Sequence, residues 1–210
     1  MVSNIKREAI LDFWQKRGDI TDASAARFHS DHTPYDLTAI SAVTKPGDRV
    51  LDLGCGTCAM ANEIVESGDV YVHAVDVVPA FLNFARTSPN LTVEIADLLQ
   101  YKTDTRYDVI MLMGVINSFP LAEERESLYD NCSKMLKATG TFFIKSQFGR
   151  SEDVIVNKYS EDLRADYMAI YPFIEHELSL LEKYFAIDRV VDPYPAELNP
   201  HHTTHFHYIY

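Results

Sequence analysis

Asp48-Arg49-Val50-Leu51-Asp52-Leu53-Gly54-Cys55-Gly56-Thr57-Cys58 is the stretch whose reading decides the fold. Arg49 to Leu53 reads as a short apolar strand, Gly54 and Gly56 as a tight turn, and Thr57 to Ser67 as a helix. A turn built on glycine lets a ligand approach the backbone, because no Cβ stands in the way. It also aims free N–H groups at the helix start. Working outward, a second strand spans Val70 to Val75 and ends in Asp76, about twenty residues beyond the turn. A carboxylate at that place accepts hydrogen bonds from the two hydroxyls of a ribose. The two features together imply a nucleoside-containing ligand.

The neighbouring residues narrow the choice. A dinucleotide site asks for a third glycine three positions after the second, where this chain has Ala59. Asp52, two residues before Gly54, discriminates better. A carboxylate at a phosphate-cradling turn repels pyrophosphate and suits a cation. S-adenosylmethionine carries a sulfonium and an ammonium and no phosphate.

With these residues quoted, the segments VLDLGCGT and VDVVP resemble motifs I and II of the class I S-adenosylmethionine-dependent methyltransferases. Ile95-Ala96-Asp97-Leu98 is similar to the family segment whose aspartate meets the adenine amino group. Tyr107 to Phe119 resembles the fourth strand with the substrate-side loop after it, and Leu136 to Gln147 the glycine turn and fifth strand. The likeness covers residues 46–147, with one departure at Cys58, where the family often has a further glycine. It implies a Rossmann-like α/β three-layer sandwich on a mostly parallel seven-stranded sheet with an antiparallel last strand. It implies S-adenosyl-L-methionine as cofactor. Gly54, Cys55 and Gly56 then face its methionine part, Asp52 its amino group, and Asp76 its ribose with Val77 beside the adenine. Asp97 takes the adenine amino group with Leu98 packed on the ring, and Met113 and Gly114 pass under the methionine chain.

The chain has 210 residues, enough for one α/β domain with a core of ordinary size. A net charge of −12 without any Lys/Arg run argues against a nucleic-acid partner. The amino terminus lacks the apolar stretch of a signal peptide, and the longest apolar run, Val109 to Ile116, is far short of a membrane span. A cytoplasmic protein with a small-molecule acceptor and no membrane partner is the expectation; the oligomeric state is not legible. Three cysteines, Cys55, Cys58 and Cys132, imply reduced thiols. Cys55 and Cys58 form a C-x-x-C at a strand-to-helix turn, a redox spacing, but the flanking Asp52, Gly54 and Asp76 favour inert turn thiols.

Residues 4–16 suit an amphipathic helix, a short helix fits Ala23 to Phe28, and Thr33 reads as the N-cap of a helix running to Lys45. Strands are expected near 49–54, 70–75, 91–96, 107–113 and 140–147, and helices near 57–67, 79–87 and 121–137. Residues 148–171 read as irregular and polar; a helix follows Pro172, and Ala186 to Val191 and Thr203 to Tyr210 make a final strand pair. The expected arrangement is one domain over 1–210, with residues 1–45 as a helical cap on a core of 46–210.

Methyl transfer from a sulfonium needs alignment and exclusion of water, and a hydroxyl acceptor also needs a base. Histidine suits that task at neutral pH. Six of the eight histidines cluster in sequence: His29 and His32 before the capping helix, and His201, His202, His205 and His207 near the end. Of these His32, His202 and His205 are the candidate bases. His205 and His207 also fit one face of a strand, and His201 and His202 a solvated loop. H-H-x-x-H-x-H offers metal ligands but no clear acidic or thiolate partner, so no metal is expected. Asn117, after the fourth strand, can orient an acceptor or cap its loop, and Asn117-Ser118-Phe119-Pro120 departs from the D/N-P-P-Y/F of amino-modifying DNA methyltransferases. Lys145 in the fifth strand has three ways to avoid an unpaired buried charge: to snorkel, to pair with an acidic residue, or to meet an anionic substrate such as a sugar nucleotide. Tyr35, Tyr159, Tyr167 and Tyr171 are candidates for an aromatic acceptor wall.

Overall fold

The computed structural model describes residues 7–22, 30–67, 69–161, 163–199 and 202–210, with Ser67 as backbone only. The expected helix at Ala23 to Phe28, His29 and His201 lie outside the described residues. The elements are α1 (Arg7–Ile20), α2 (Thr33–Val43), β1 (Arg49–Leu53), α3 (Ala59–Ser67), β2 (Tyr71–Asp76), α4 (Pro79–Leu82), β3 (Leu91–Ile95) and β4 (Tyr107–Met113). They continue with α5 (Ala122–Met135), β5 (Leu136–Gly149), β6 (Val154–Ser160), β7 (Ala165–Tyr171), α6 (Ile174–Leu181), β8 (Val190–Val191) and β9 (Thr204–Ile209).

Seven strands form one sheet in the order β3-β2-β1-β4-β5-β9-β8. The pairs from β3 through β5 are parallel, and β9 runs antiparallel to both β5 and β8. This is the expected Rossmann-like sheet. Its central strands are buried on both faces, as parallel strands covered by helices must be: β1 from Val50 to Leu53 and β4 from Val109 to Leu112 are buried throughout. One face packs Ile40 of α2 and Ala61 and Ile64 of α3 against Val50, Val109 and Phe143. The other packs Leu128 and Cys132 of α5 and Leu181 of α6 against Leu51, Ile110 and Ile144. Among the described residues no helix is long and apolar enough to cross a membrane.

Four local expectations need correction. The helix at 79–87 stops at Leu82, because the Asn62 side chain takes the Phe84 carbonyl (3.1 Å) and the Arg86 N–H (2.8 Å) that further helical turns would use. The helix at 121–137 ends at Met135, and the strand begins at Leu136 without a loop. Gly140 sits inside that strand, where a Cβ would come 2.9 Å from the Asp108 carbonyl oxygen; the pairing register slips there, between Tyr107 and Val109. Thr33 is the first helical residue, and the cap position falls on His32, whose carbonyl accepts from Tyr35 and Asp36 N–H. Residues 154–160 and 165–171, read as irregular, form an antiparallel hairpin of their own. Asn157, Lys158 and Asp166 stand among its exposed or partly exposed positions and hide the alternation of Val, Ile, Tyr and Ala that makes the strands.

Candidate active site

The glycine turn lies between β1 and α3, at the carboxyl ends of the parallel strands, where ligands bind in sheets of this kind. Gly54 and Gly56 both have positive φ, +74° and +52°, and a Cβ on Gly54 would meet Val115 at 2.6 Å. Cys58 also adopts positive φ, 57°, the left-handed backbone that glycine takes freely. The turn's N–H groups are not free as expected. Gly54 and Cys55 both donate to the Val75 carbonyl, at 2.7 and 3.1 Å, and Cys58 donates to the Cys55 carbonyl at 3.0 Å. Gly56 donates to Asp76 Oδ2 at 2.8 Å. A turn whose donors are committed in this way is poorly disposed to hold phosphate.

Three carboxylates surround it. Asp52 lies within β1, 2% exposed, and its Oδ2 is buried with no hydrogen-bond partner. Burial, with the nearby charge of Asp76, pushes its carboxyl up to about 7. Asp76 accepts from Val78 N–H (2.9 Å) as well as Gly56. Burial raises it and these backbone donors offset part of the rise. Asp97 Oδ1 accepts from Arg7 of α1 and from Leu99 N–H. Burial alone would raise Asp97, but these donors and the Arg7 charge hold it below the ordinary carboxylate range.

A cavity of about 330 Å³ opens beside the turn, within the range of small-ligand sites. Gly54, Cys55, Gly56, Asp76, Val77, Leu98, Met113 and Gly114, all expected from sequence, line it together. Asp52, Asp97, His32, Asn117, His202 and His205 do not line it. Sequence reading missed the part of the opposite wall made by Arg7, Ile10, Leu11 and Trp14 of α1 and by Phe81, while Val115, Ser118 and Phe119 come from the loop after β4 that it had marked as substrate-side. Gly18 lets α1 approach this closely, since a Cβ there would sit 2.6 Å from Val78 Cγ1. Tyr167 of β7 packs on Phe13 at 5.0 Å and on Trp14 at 6.4 Å, so the hairpin and α1 form a common roof. Tyr159 is 57% exposed and Tyr35 is 39% exposed, and neither lines the cavity. The loop after β4 is anchored from behind: buried Arg125 donates to the Phe119 carbonyl and to both oxygens of Glu177.

The histidines do not converge. His32 Nε2 lies 3.0 Å from the Leu198 carbonyl, and its ring packs on Tyr194 (4.2 Å) and Phe206 (5.6 Å). Because a carbonyl only accepts, Nε2 carries a proton, and in the neutral ring the lone pair is then on Nδ1. Alternation along β9 sends Phe206 and Tyr208 to this side and His205 and His207 to the opposite face, beside Phe148 and Asp192. Burial lowers His207 against the pull of Asp192. His202 is exposed. Asn117 Oδ1 is buried without a hydrogen-bond partner. Lys145 meets Asp36 of α2 at 2.9 Å, and Gln147 donates to Thr204 Oγ1 at 2.6 Å. Among the described residues no group of three or more His, Cys, Asp or Glu is placed to hold a metal ion.

Comparison with known proteins agrees with the topology. Residues 50–140 match a family model described as a methyltransferase domain. The chain is 30% identical over 122 residues to the ubiquinone biosynthesis O-methyltransferase of Xylella fastidiosa strain M23, a match covering 54% of this chain and 48% of that protein. It is 26% identical over 126 residues to the ribosomal protein L11 methyltransferase of Thermotoga neapolitana, covering 60% of this chain and 47% of that one. The matches thus span about half the length of these curated relatives. The solved DhpI-SAM-HEP complex superposes with a TM-score of 0.74 at 16% identity, covering 96% of this chain and 95% of that chain. Motifs, sheet order and the methyltransferase-domain match over residues 50–140 agree with one another, and the fold is that of the class I S-adenosylmethionine-dependent methyltransferases it resembles.

Proposed function

We propose that the protein transfers a methyl group from S-adenosyl-L-methionine to a small-molecule acceptor, with a hydroxyl oxygen as the favoured acceptor atom. The observation that carries the cofactor half is Asp52: a buried carboxylate oxygen without a partner, under a glycine turn in which the N–H groups of Gly54, Cys55, Gly56 and Cys58 are already used. Such a place disfavours phosphate and favours an ammonium. The relatives support the reaction class, and the differing names of the O-methyltransferase and the ribosomal-protein methyltransferase leave the acceptor open.

Bound, S-adenosylmethionine supplies a methyl group already activated on a cationic sulfur. The protein's residues do the rest. Asp52 balances the amino group, Asp76 accepts from the ribose hydroxyls and Asp97 from the adenine amino group, with Val77 and Leu98 against the ring. Met113 and Gly114 carry the methionine chain, and the apolar roof from α1 keeps water out. His32 is the candidate base through Nδ1. Asn117 is a second candidate for orienting the acceptor. A second reading, transfer to an amine or carboxylate that needs no base, draws support from the cavity wall, in which no histidine stands among the described residues.

Thermal melting with S-adenosylmethionine, its demethylated product or NAD tests the cofactor by mass action. Stabilisation by the first two and not by NAD is expected, and stabilisation by NAD alone would overturn the proposal. His32→Ala should keep that stabilisation and slow turnover by about 10²–10⁴-fold if the acceptor is a hydroxyl. Full activity of this variant moves the reading to the base-free acceptors. Screening acceptors by mass spectrometry for the gain of one methyl group then identifies the substrate.

A further inference from the structure

The thiols of the C-x-x-C in the glycine turn do no chemistry in the reaction above, yet the fold brings the two sulfurs together. Cys55 Sγ and Cys58 Sγ lie 3.5 Å apart. The Cys58 N–H donates to the Cys55 carbonyl at 3.0 Å, which closes the four residues into a β-turn. Such a turn holds its end Cα atoms within about 7 Å, close to the span a disulfide needs. The left-handed backbone of Cys58, φ 57°, is already in place. Closing the bond requires the sulfurs to approach to about 2.05 Å, a movement within reach of side-chain rotation. Cys55 lines the cavity, while Cys58 is fully buried behind it. A small oxidant entering the cavity therefore meets Cys55 first, with Cys58 placed to resolve it. Cys132 is buried among residues of the opposite face of the sheet and is no competitor.

We propose that Cys55 and Cys58 form a reversible disulfide that switches off ligand binding at the glycine turn. The step balances with a hydroperoxide as oxidant. The Cys55 sulfur attacks the peroxide oxygen, the O–O bond breaks, and a sulfenic acid and one water are produced from hydrogen peroxide. The Cys58 sulfur then displaces hydroxide from the Cys55 sulfur, and the thiol proton leaves with it as a second water. Two thiols have lost two electrons, and a dithiol reductant restores them.

The consequence for the site follows from the hydrogen bonds of the turn. Gly56, between the two cysteines, donates to Asp76 Oδ2, the carboxylate assigned to the ribose. A cross-link over Gly56 pins that N–H on Asp76 and fixes the Cys55 side chain in the cavity wall. A bound ligand at Asp76 must share that oxygen, so the oxidised turn binds it less well. The neighbouring Cys58 thiol, burial and the charge of Asp52 raise the Cys55 thiol far above its ordinary range. Oxidation is therefore slow at neutral pH and faster in alkali, and a bound cofactor shields Cys55.

The second half of the proposal rests on the cofactor reading given above, and the test separates the two. The reduced full chain is treated with hydrogen peroxide at pH 8.5, with and without S-adenosylmethionine. Intact mass and peptide mapping are followed by calorimetric titration of S-adenosylmethionine. Expected are the loss of two hydrogens, a Cys55–Cys58 cross-linked peptide, protection by the cofactor, and an affinity lowered by about tenfold or more that dithiothreitol restores. Cys58→Gly, which suits the left-handed backbone, should bind the cofactor when reduced, and on oxidation should gain oxygen at Cys55 without losing two hydrogens or forming a cross-link; Cys58→Ser serves if the glycine variant does not fold. Oxygen addition without a cross-link, a cross-link through Cys132, or unchanged affinity of the cross-linked protein each overturns the switch while the cofactor reading stands. No binding by the reduced wild type overturns both.

Discussion

Asp36 and Asp52 are equally hidden from water, 4% and 2% exposed, but their surroundings differ completely. Asp36 Oδ2 accepts from Lys145, and Oδ1 accepts from the hydroxyls of Tyr194 and Tyr208 at 2.7 Å each. Asp52 has a buried oxygen with nothing to accept from. Burial of an ionised carboxylate is tolerated where donors replace water. Asp36 satisfies that rule within the chain and ties α2, β5, β9 and the segment at Tyr194 into one unit. Asp52 leaves it unsatisfied, and in the function proposed above the ligand's ammonium is what would complete it. A buried carboxylate thus points to architecture or to binding according to its donors, not its depth.

The largest effect expected from this contrast is on stability. Asp36→Ala leaves the partly buried Lys145 without its counter-charge and the Tyr194 and Tyr208 hydroxyls without their acceptor, and should cost about 3 kcal/mol, read from urea unfolding. Adding Lys145→Met should recover a substantial part, since the two residues act as one pair. A loss under about 1 kcal/mol for Asp36→Ala would mean that the network does not hold these elements together.

Asp52→Asn should act in the opposite direction. The folded carboxyl holds its proton up to about 7, while the unfolded one releases it near 3.8. The folded state therefore binds more protons in that window, and wild-type stability from this group is full below it and falls as pH rises through it. The amide removes this loss, so the variant should be more stable than wild type at pH 8 by about 2–4 kcal/mol, with the advantage vanishing near pH 4. The same change should weaken S-adenosylmethionine binding by about tenfold or more. A variant less stable at pH 8, with unchanged affinity, would remove Asp52 from the site.

The smallest effect concerns pH and affinity in the wild type. A cation beside Asp52 favours its ionised form, so binding below pH 7 must expel a proton. Affinity should decline toward about tenfold per pH unit as pH falls below 7. Calorimetry at pH 6 in two buffers of different ionisation enthalpy measures that release directly, and its absence would separate Asp52 from the ligand's charge.

The contrast also marks where sequence reading ends. The cofactor side is written locally. Asp52, Gly54, Gly56 and Asp76 lie within two strand-to-turn units, and their spacing survives folding unchanged. The partner of Lys145 lies 109 residues away in α2, and no periodicity announces it. The hairpin at 154–171 escaped because its polar residues break the alternation. The expected gathering of histidines failed on a one-residue matter: in β9, side chains at 205 and 207 face away from those at 206 and 208, so nearness in sequence separated His205 from His32. The turn's N–H groups escaped because their acceptor, the Val75 carbonyl, is supplied by the neighbouring strand.

The pairing of α1 with the β6–β7 hairpin carries a consequence for how such a chain can diversify. Both pieces lie outside the 50–140 stretch that matches the family model, and they meet through aromatic faces with no hydrogen bond between Tyr167 and Phe13 or Trp14. Contacts of that kind tolerate exchange of one flat side chain for another. Variation in these two segments can reshape the mouth of the crevice while the machinery beneath stays as it is, so descendants of one ancestor can acquire new clients without relearning the chemistry.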